Sequence, residues 1–197
     1  DTEIQAGIKG YELTEELNVP VIIIEPVKGG SLAKLPSSAA KHFREIAPEK
    51  SIASWALRFV ASLPNVKTVL SGMSNAKQVA DNLDTFNDFK ILNEAEQKAV
   101  QAAVEILQKR VKNGCTACAY CMPCPAGVDI PANFKIWNSY GMYRNTGEAK
   151  WLWTNDIDAK AKANNCIDCG QCETLCPQKI NIREDLKQLQ KELDLIR

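Results

Sequence analysis

The spacing of apolar residues changes character along the chain. In residues 1–18, Ile8, Leu13 and Leu17 fall at loose helical spacing, which predicts a helix ending near Asn18. The run Val19-Pro-Val-Ile-Ile-Ile-Glu25 is short, β-branched and unbroken, which predicts a strand buried on both faces, as in a parallel sheet. Pro26-Val-Lys-Gly-Gly30 reads as the loop at its C-terminal end, and a short helix is expected over 39–46. From 48 to 63, Ile52, Trp55, Ala56, Phe59, Val60 and Leu63 mark one face of an amphipathic helix that Pro64 stops. Residues 66–70 read as a second strand, followed by the loop Ser71-Gly-Met-Ser-Asn75. Asn75 with Gln78 forms a capping box, and the helix it opens is expected to bury Val79, Leu83 and Phe86.

Residues 1–88 thus read α-β-α-β-α, a piece of a parallel α/β fold. A second capping box, Asn93 with Glu96, opens a connecting helix that carries Val100, Val104, Leu107 and Val111 and stops at Gly114. The pattern then becomes irregular. Trp137, Tyr140, Tyr143, Trp151 and Trp153 suggest two short helices joined by Arg144-Asn-Thr-Gly147 and packed as a small core. Leu186, Leu189, Leu193 and Ile196 mark a last amphipathic helix.

Composition narrows the classes. Of 197 residues, 45% are hydrophobic and 24% charged, a globular balance. The 24 basic and 24 acidic residues give zero net charge, which lends no support to nucleic acid or an anionic membrane as a partner. No apolar run approaches the roughly 18 residues of a membrane span. The start at Asp1 shows no signal peptide and no initiator Met, so the natural chain is expected to begin upstream.

All eight cysteines lie between Cys115 and Cys176, in two copies of one pattern. The first is Cys115-Thr-Ala-Cys118-Ala-Tyr-Cys121-Met-Pro-Cys124-Pro, and the second is Cys166-Ile-Asp-Cys169-Gly-Gln-Cys172-Glu-Thr-Leu-Cys176-Pro. Val128 and Ile130 after the first copy correspond to Ile180 and Ile182 after the second, apolar side chains that would shield a cofactor from water. Cysteines at steps of three converge on one compact centre, with backbone N–H groups aimed at the sulfurs. Three chemistries compete. Disulfides need a secretory context that the sequence does not show. Structural zinc usually takes paired CxxC units separated by a longer loop. Iron–sulfur clusters suit four cysteines within about ten residues, twice, each closed by Cys-Pro. The expectation is two [4Fe–4S] clusters in a cytoplasmic protein.

The second copy resembles the bacterial ferredoxin run, in which the fourth cysteine serves the other cluster. The resemblance implies one cluster on Cys115, Cys118, Cys121 and Cys176, and the other on Cys166, Cys169, Cys172 and Cys124. The first copy is one residue shorter before Cys124, which tightens its turn. Residues 115–197 carry ten basic and ten acidic side chains, so two four-thiolate clusters would leave this part near −4. Gly114, Gly127 and Gly170 are expected to let the backbone approach the sulfurs. With little other core expected, this region should unfold when its metal is lost.

The order of motifs adds a second resemblance. The segment Val19 to Ala33, then Trp55-Ala-Leu-Arg-Phe-Val60, then Val69-Leu-Ser-Gly-Met-Ser-Asn75, then two cysteine clusters, resembles the C-terminal half of an aldo/keto reductase. More narrowly, it is similar to the branch with a C-terminal 4Fe–4S dicluster domain. The resemblance implies a partial (β/α)8 TIM barrel over 1–92, a connecting helix over 93–113 and a mainly helical ferredoxin-like domain over 114–197. It implies that Glu25, Pro26 and Val27 face the pyrophosphate of NADP(H) or NAD(H). It places Gly72, Met73, Ser74, Gln78 and Asn82 at the adenosine phosphate and adenine. Gly72 and Gln78 stand where many relatives carry a basic residue for the 2′-phosphate.

The family's catalytic Asp, Tyr, Lys and His set is not recognisable here. His42 reads as a lone surface residue, and Tyr11 has no Lys or His partner in a motif. The chain is therefore read as an iron–sulfur oxidoreductase fragment. Its parent would transfer hydride between a nicotinamide and a small carbonyl substrate, with the clusters either passing single electrons, for instance to a redox partner protein, or serving as a structural or partner-docking module. Two strands cannot close a barrel, so residues 1–90 alone are expected to aggregate. The alternatives are a ferredoxin-type electron-transfer module without hydride chemistry, and a zinc-bound interaction module.

Overall fold

The computed structural model describes residues 7–196. The chain divides into two units, one up to Val104 and one from Glu105.

In the α/β unit the order is α1 (Gly7–Glu16), β1 (Val21–Ile24), α2 (Ser37–Ile46), α3 (Ile52–Ala61), β2 (Val66–Leu70), α4 (Ala76–Asn87) and α5 (Glu94–Gln108). A 3-10 stretch, Lys28–Ala33, follows β1. The first six residues of the expected opening helix lie outside the described residues. The two strands pair in parallel, with Ile22 opposite Thr68, Ile23 opposite Val69 and Ile24 opposite Leu70. The crossover runs through α2 and α3. Ser51 caps α3 by accepting the Ser54 N–H at 3.0 Å, and Phe43 of α2 stacks on Trp55 with ring centroids 4.6 Å apart.

Several expectations need correction. The first strand is not buried on both faces: Ile22 and Ile24 are 61% and 69% exposed. Helix α3 packs against β2 and the 3-10 stretch after β1, and alternate residues on the other face of the strands find no cover among the described residues. Phe59 of α3 and Val79, Leu83 and Phe86 of α4 are likewise exposed rather than buried. The reason for α4 is that its contact with α3 is polar. Asp81 accepts from the Ser51 hydroxyl at 2.7 Å and Asp84 pairs with Lys50 at 2.9 Å, while Thr85 is buried. These groups turn the apolar stripe outward.

Helix α5 buries Glu96, Ala99, Ala103 and Leu107, whereas Val104 is exposed and Val100 only half-buried. Arg58 draws Glu96 inward by two bonds, 2.7 and 2.9 Å long. The expected capping box is present: Asn93 and Glu96 exchange bonds of 2.9 and 3.0 Å. The helix ends at Gln108, before Gly114.

The cysteine unit contains α6 (Ile130–Tyr143), α7 (Thr146–Trp151), α8 (Gln171–Leu175) and α9 (Ile182–Asp194). A π-helical turn, Leu152–Asp156, extends α7. The aromatic stretch forms one long helix and one short helix rather than two short ones. Asp129 caps α6 by accepting the Ala132 N–H at 3.0 Å, and Pro131 occupies its first turn. Against expectation, this unit has a core of its own. Val128, Ile130, Phe134, Trp137, Trp153, Ile157, Ile182, Leu186, Leu189 and Leu193 belong to one buried cluster. Six of the cysteines pack on its rim.

Candidate metal centres and nucleotide loops

The two cysteine copies share one backbone path. Ala117 and Asp168, two residues after each first cysteine, both have positive φ (55° and 63°). Ala119 and Gly170 follow suit (62° and 78°), as do Gly127 and Lys179 after each Cys-Pro (77° and 52°). Three of these pairs place a side chain in the left-handed region, where glycine is the usual occupant. The turns also match: Gly127 N–H donates to Cys124 O at 2.9 Å, and Lys179 N–H to Cys176 O at 3.1 Å. Gly114 departs from expectation, with ordinary φ and open space around it.

The folded loops part the eight thiols into two sets. Cys115, Cys118, Cys121 and Cys176 line one cavity, with Thr116, Ala119, Pro131 and Phe134 in its wall. Cys124, Cys166, Cys169 and Cys172 line the other, with Ile167, Gly170, Arg183 and Leu186 in its wall. Cys121 and Ile130 touch both. Cys118 and Cys169, at corresponding positions, are the exposed members. Burial holds the thiols of Cys115 and Cys121 above the usual range; backbone N–H groups of Ala117 and of Cys121 itself oppose this, and neighbouring thiols add to it. Burial, with the Glu173 carboxylate beside it, pushes Cys172 up to about 11. Among the described residues, no three His, Cys, Asp or Glu side chains are placed as a single metal ion would need them.

Sequence reasoning missed the residues that hold these loops in place. Two asparagines of α6 grip the segments leading into the two copies. Asn138 Oδ1 accepts the N–H groups of Lys112 and Asn113 at 2.9 and 3.0 Å, and its Nδ2 donates to Asn113 O at 3.2 Å. Asn113 Oδ1 then accepts the Cys115 N–H at 3.2 Å. Asn133, fully buried, accepts the Ala163 N–H at 3.0 Å and donates to Ala161 O at 2.8 Å, just before Cys166. Gly141 lets α6 come close to the same lead-in: a Cβ there would lie 2.6 Å from Arg110 O. Only the helical spacing of polar residues on an apolar face signals such grips in a sequence.

In the α/β unit, the parallel register brings the loops after β1 and β2 to the same sheet end, since Ile24 pairs with Leu70. Pro26 is buried, Val27 half-buried and Glu25 exposed with φ of 53°. Gly72, Met73, Ser74 and Gln78 are exposed and Asn82 is half-buried. Gln78 Oε1 accepts the Ser74 N–H at 2.7 Å and the Ser74 hydroxyl at 3.0 Å, and Asn82 Nδ2 donates to the Ser71 hydroxyl at 2.8 Å. These bonds set the loop against the first turn of α4, which carries Lys77 and no acidic residue. That arrangement fits an anionic ligand. His42 is half-buried on α2, and the Tyr11 hydroxyl donates to Glu15 Oε1 at 2.6 Å.

Residues 9–105 match the aldo/keto reductase family, and residues 114–180 match the 4Fe-4S dicluster domain. In chain order these are an aldo/keto reductase region followed by a 4Fe-4S dicluster domain, a combination that suggests an iron–sulfur oxidoreductase. No curated protein and no solved structure matches it. Among the described residues, no helix is long and apolar enough to cross a membrane.

Proposed function

We propose that this chain holds two [4Fe–4S] clusters, one on Cys115, Cys118, Cys121 and Cys176 and one on Cys124, Cys166, Cys169 and Cys172. The observation that carries the reading is the exchange of fourth cysteines between the two cavities: Cys176 lines the first and Cys124 the second, with Cys121 bordering both. The donor set fits the group: soft thiolates, N–H groups directed at sulfur, and an apolar wall. Four cysteines within about ten residues, twice, each run closed by Cys-Pro, favour a polynuclear centre over zinc. When bound, the clusters supply one-electron storage. The chain's own part is to hold them, to exclude water with Val128, Ile130, Ile180 and Ile182, and to leave Cys118 and Cys169 toward solvent. Eight thiols kept for metal suit the cytoplasm.

The α/β unit is read as the closing part of a (β/α)8 barrel over 1–92, linked through 93–113 to the cysteine domain. The exposed face of β1 and β2 suits the continuation of a larger sheet. Glu25, Pro26 and Val27 would border the pyrophosphate, with Gly72, Met73, Ser74, Gln78 and Asn82 at the adenosine end of NADP(H) or NAD(H). Tyr11 pairs with Glu15 within α1 and has no Lys or His partner in a recognisable catalytic motif, so the proposed role of this unit is nucleotide binding. The second reading is an electron-transfer module for a redox partner, favoured by the exposure of Cys118 and Cys169.

Anaerobic purification tests the metal reading. It expects about eight iron and eight acid-labile sulfide per chain, with a brown absorption that dithionite bleaches. A colourless, zinc-loaded protein overturns it. Titration with NADPH then separates the two functions, because quenching of the cofactor's emission is expected for the reductase reading and none for a pure relay.

A further inference from the structure

The two thiol cavities correspond residue by residue, because the copies that build them do. Counting from Ile130 and Ile182, Pro131 matches Arg183 and Phe134 matches Leu186. Pro131 and Phe134 line the cavity of the Cys115 set, and Arg183 and Leu186 line that of the Cys124 set. Thr116 faces Ile167 in the same comparison, and Ala119 faces Gly170. The exposed cysteines, Cys118 and Cys169, also correspond. One charged difference is left: Arg183 is the single charged side chain among the residues lining either cavity.

Its placement is fixed by the second loop. Arg183 Nε donates to Glu173 Oε2 at 3.0 Å, its backbone N–H donates to Glu173 Oε1 at 2.9 Å, and its Nη1 reaches Asp168 O at 3.4 Å. The guanidinium lies against Gly170, where a Cβ would stand 3.5 Å from Arg183 Cζ. Lys187 Nζ takes the Asp168 carboxylate at 2.7 Å.

We infer that Arg183 tunes the second centre alone: it raises the reduction potential of the cluster held by Cys124, Cys166, Cys169 and Cys172, and Pro131 gives the first centre no counterpart. This rests on the [4Fe–4S] reading above. A fixed cation stabilises the extra electron of the reduced state, and net charge near a cluster is one of the levers on its potential. Summed over the neighbourhood, Asp168, Glu173, Arg183 and Lys187 cancel, so the inference depends on placement. The guanidinium lines the cavity itself; neither carboxylate does, although Glu173 stands beside Cys172 and opposes the cation there.

The test is a mediated potentiometric titration of the full chain, followed by the electron paramagnetic resonance of the reduced centres. An electrode supplies one electron to each centre, which passes from its oxidised to its one-electron-reduced form. In Arg183→Gln, one wave is expected to fall so that the reduced-to-oxidised ratio at fixed potential drops about tenfold, roughly 59 mV. The other wave stays in place. The wave that falls should be the one that Cys169→Ser alters. Arg183→Lys, which keeps the charge, should restore most of the shift.

Glu173→Gln keeps Arg183 and removes its counter-charge, so the same wave should rise; this variant carries the test if Arg183→Gln fails to assemble. In the double variant Arg183→Gln/Glu173→Gln, the wave should still fall below that of the parent, because the wall has lost its cation. An unmoved wave, an equal shift of both waves, or a shift of the wave that Cys169→Ser leaves alone overturns the inference. Iron and sulfide are counted first. A chain without them fails the metal reading and the inference together, whereas a chain with both centres and unmoved waves fails the inference alone.

Discussion

In the cysteine unit, Phe134, Trp137, Trp153 and the leucines of α9 are almost completely buried, whereas in the α/β unit Ile22, Ile24 and Leu70 stand 61%, 69% and 51% exposed. Both regions are rich in apolar side chains, and both leave some of them exposed, but only the cysteine unit gathers its largest ones into a fully buried seam. Helices α6 and α9 turn their stripes toward each other and bury the tryptophans at the seam. The α/β unit buries Ala39, Ala40, Phe43, Trp55 and Leu57 between its helices and leaves the far face of its strands open. The lesson is that a metal-binding domain can carry a packed helical core beside its thiols, and a unit with regular elements need not be saturated.

Removing iron under anaerobic chelation is expected to have the largest effect. It should loosen the thiol loops on both sides of the core while the helical circular dichroism and the buried tryptophan emission persist. Full collapse of the helical signal would show that the core depends on the clusters, as composition alone suggests. Next in size, Leu189→Ala in the fully buried seam should cost about 2–5 kcal/mol in urea unfolding of the cysteine unit. A cost below about 1 kcal/mol would break the contrast between the units.

A smaller effect is expected from the ion pair of Arg58 with Glu96. The two Arg58 bonds hold the Glu96 carboxyl below its usual range; burial opposes this and the Asn93 N–H assists. With the folded value depressed, the contribution is complete above the unfolded value near about 4.3 and is lost as pH falls through the folded one. Glu96→Gln should therefore lower stability by about 1–3 kcal/mol at pH 7, with the difference from the parent shrinking below about pH 4. A constant difference across that range would remove Glu96 as its source. Smallest of all, Ile22→Lys with Ile24→Lys should leave stability within about 0.5 kcal/mol, since both side chains are exposed. Sedimentation should nevertheless show less self-association. A large loss of stability would mean that the strand face is covered after all.

Much of this architecture was legible in the sequence because it is local. Caps at Asn75 and Asn93, the α9 stripe and the cysteine repeat are each encoded within a few residues. Which way a helix turns was not legible where a distant partner decides it. Glu96 faces inward because of Arg58, 38 positions away, and Val79, Leu83 and Phe86 face outward because Asp81 and Asp84 answer Ser51 and Lys50. The grips by Asn133 and Asn138 were invisible for the same reason. Periodicity reports that a polar residue sits on an apolar face, but not which carbonyls and amides it meets.

Those two grips stand five positions apart on α6, a separation of roughly 7.5 Å along its axis. Each anchors the approach to one sulfur set. The two approaches are thereby held by one rigid rod with a constant rise, so their separation is set by the pitch of a single helix rather than by the loops that connect them.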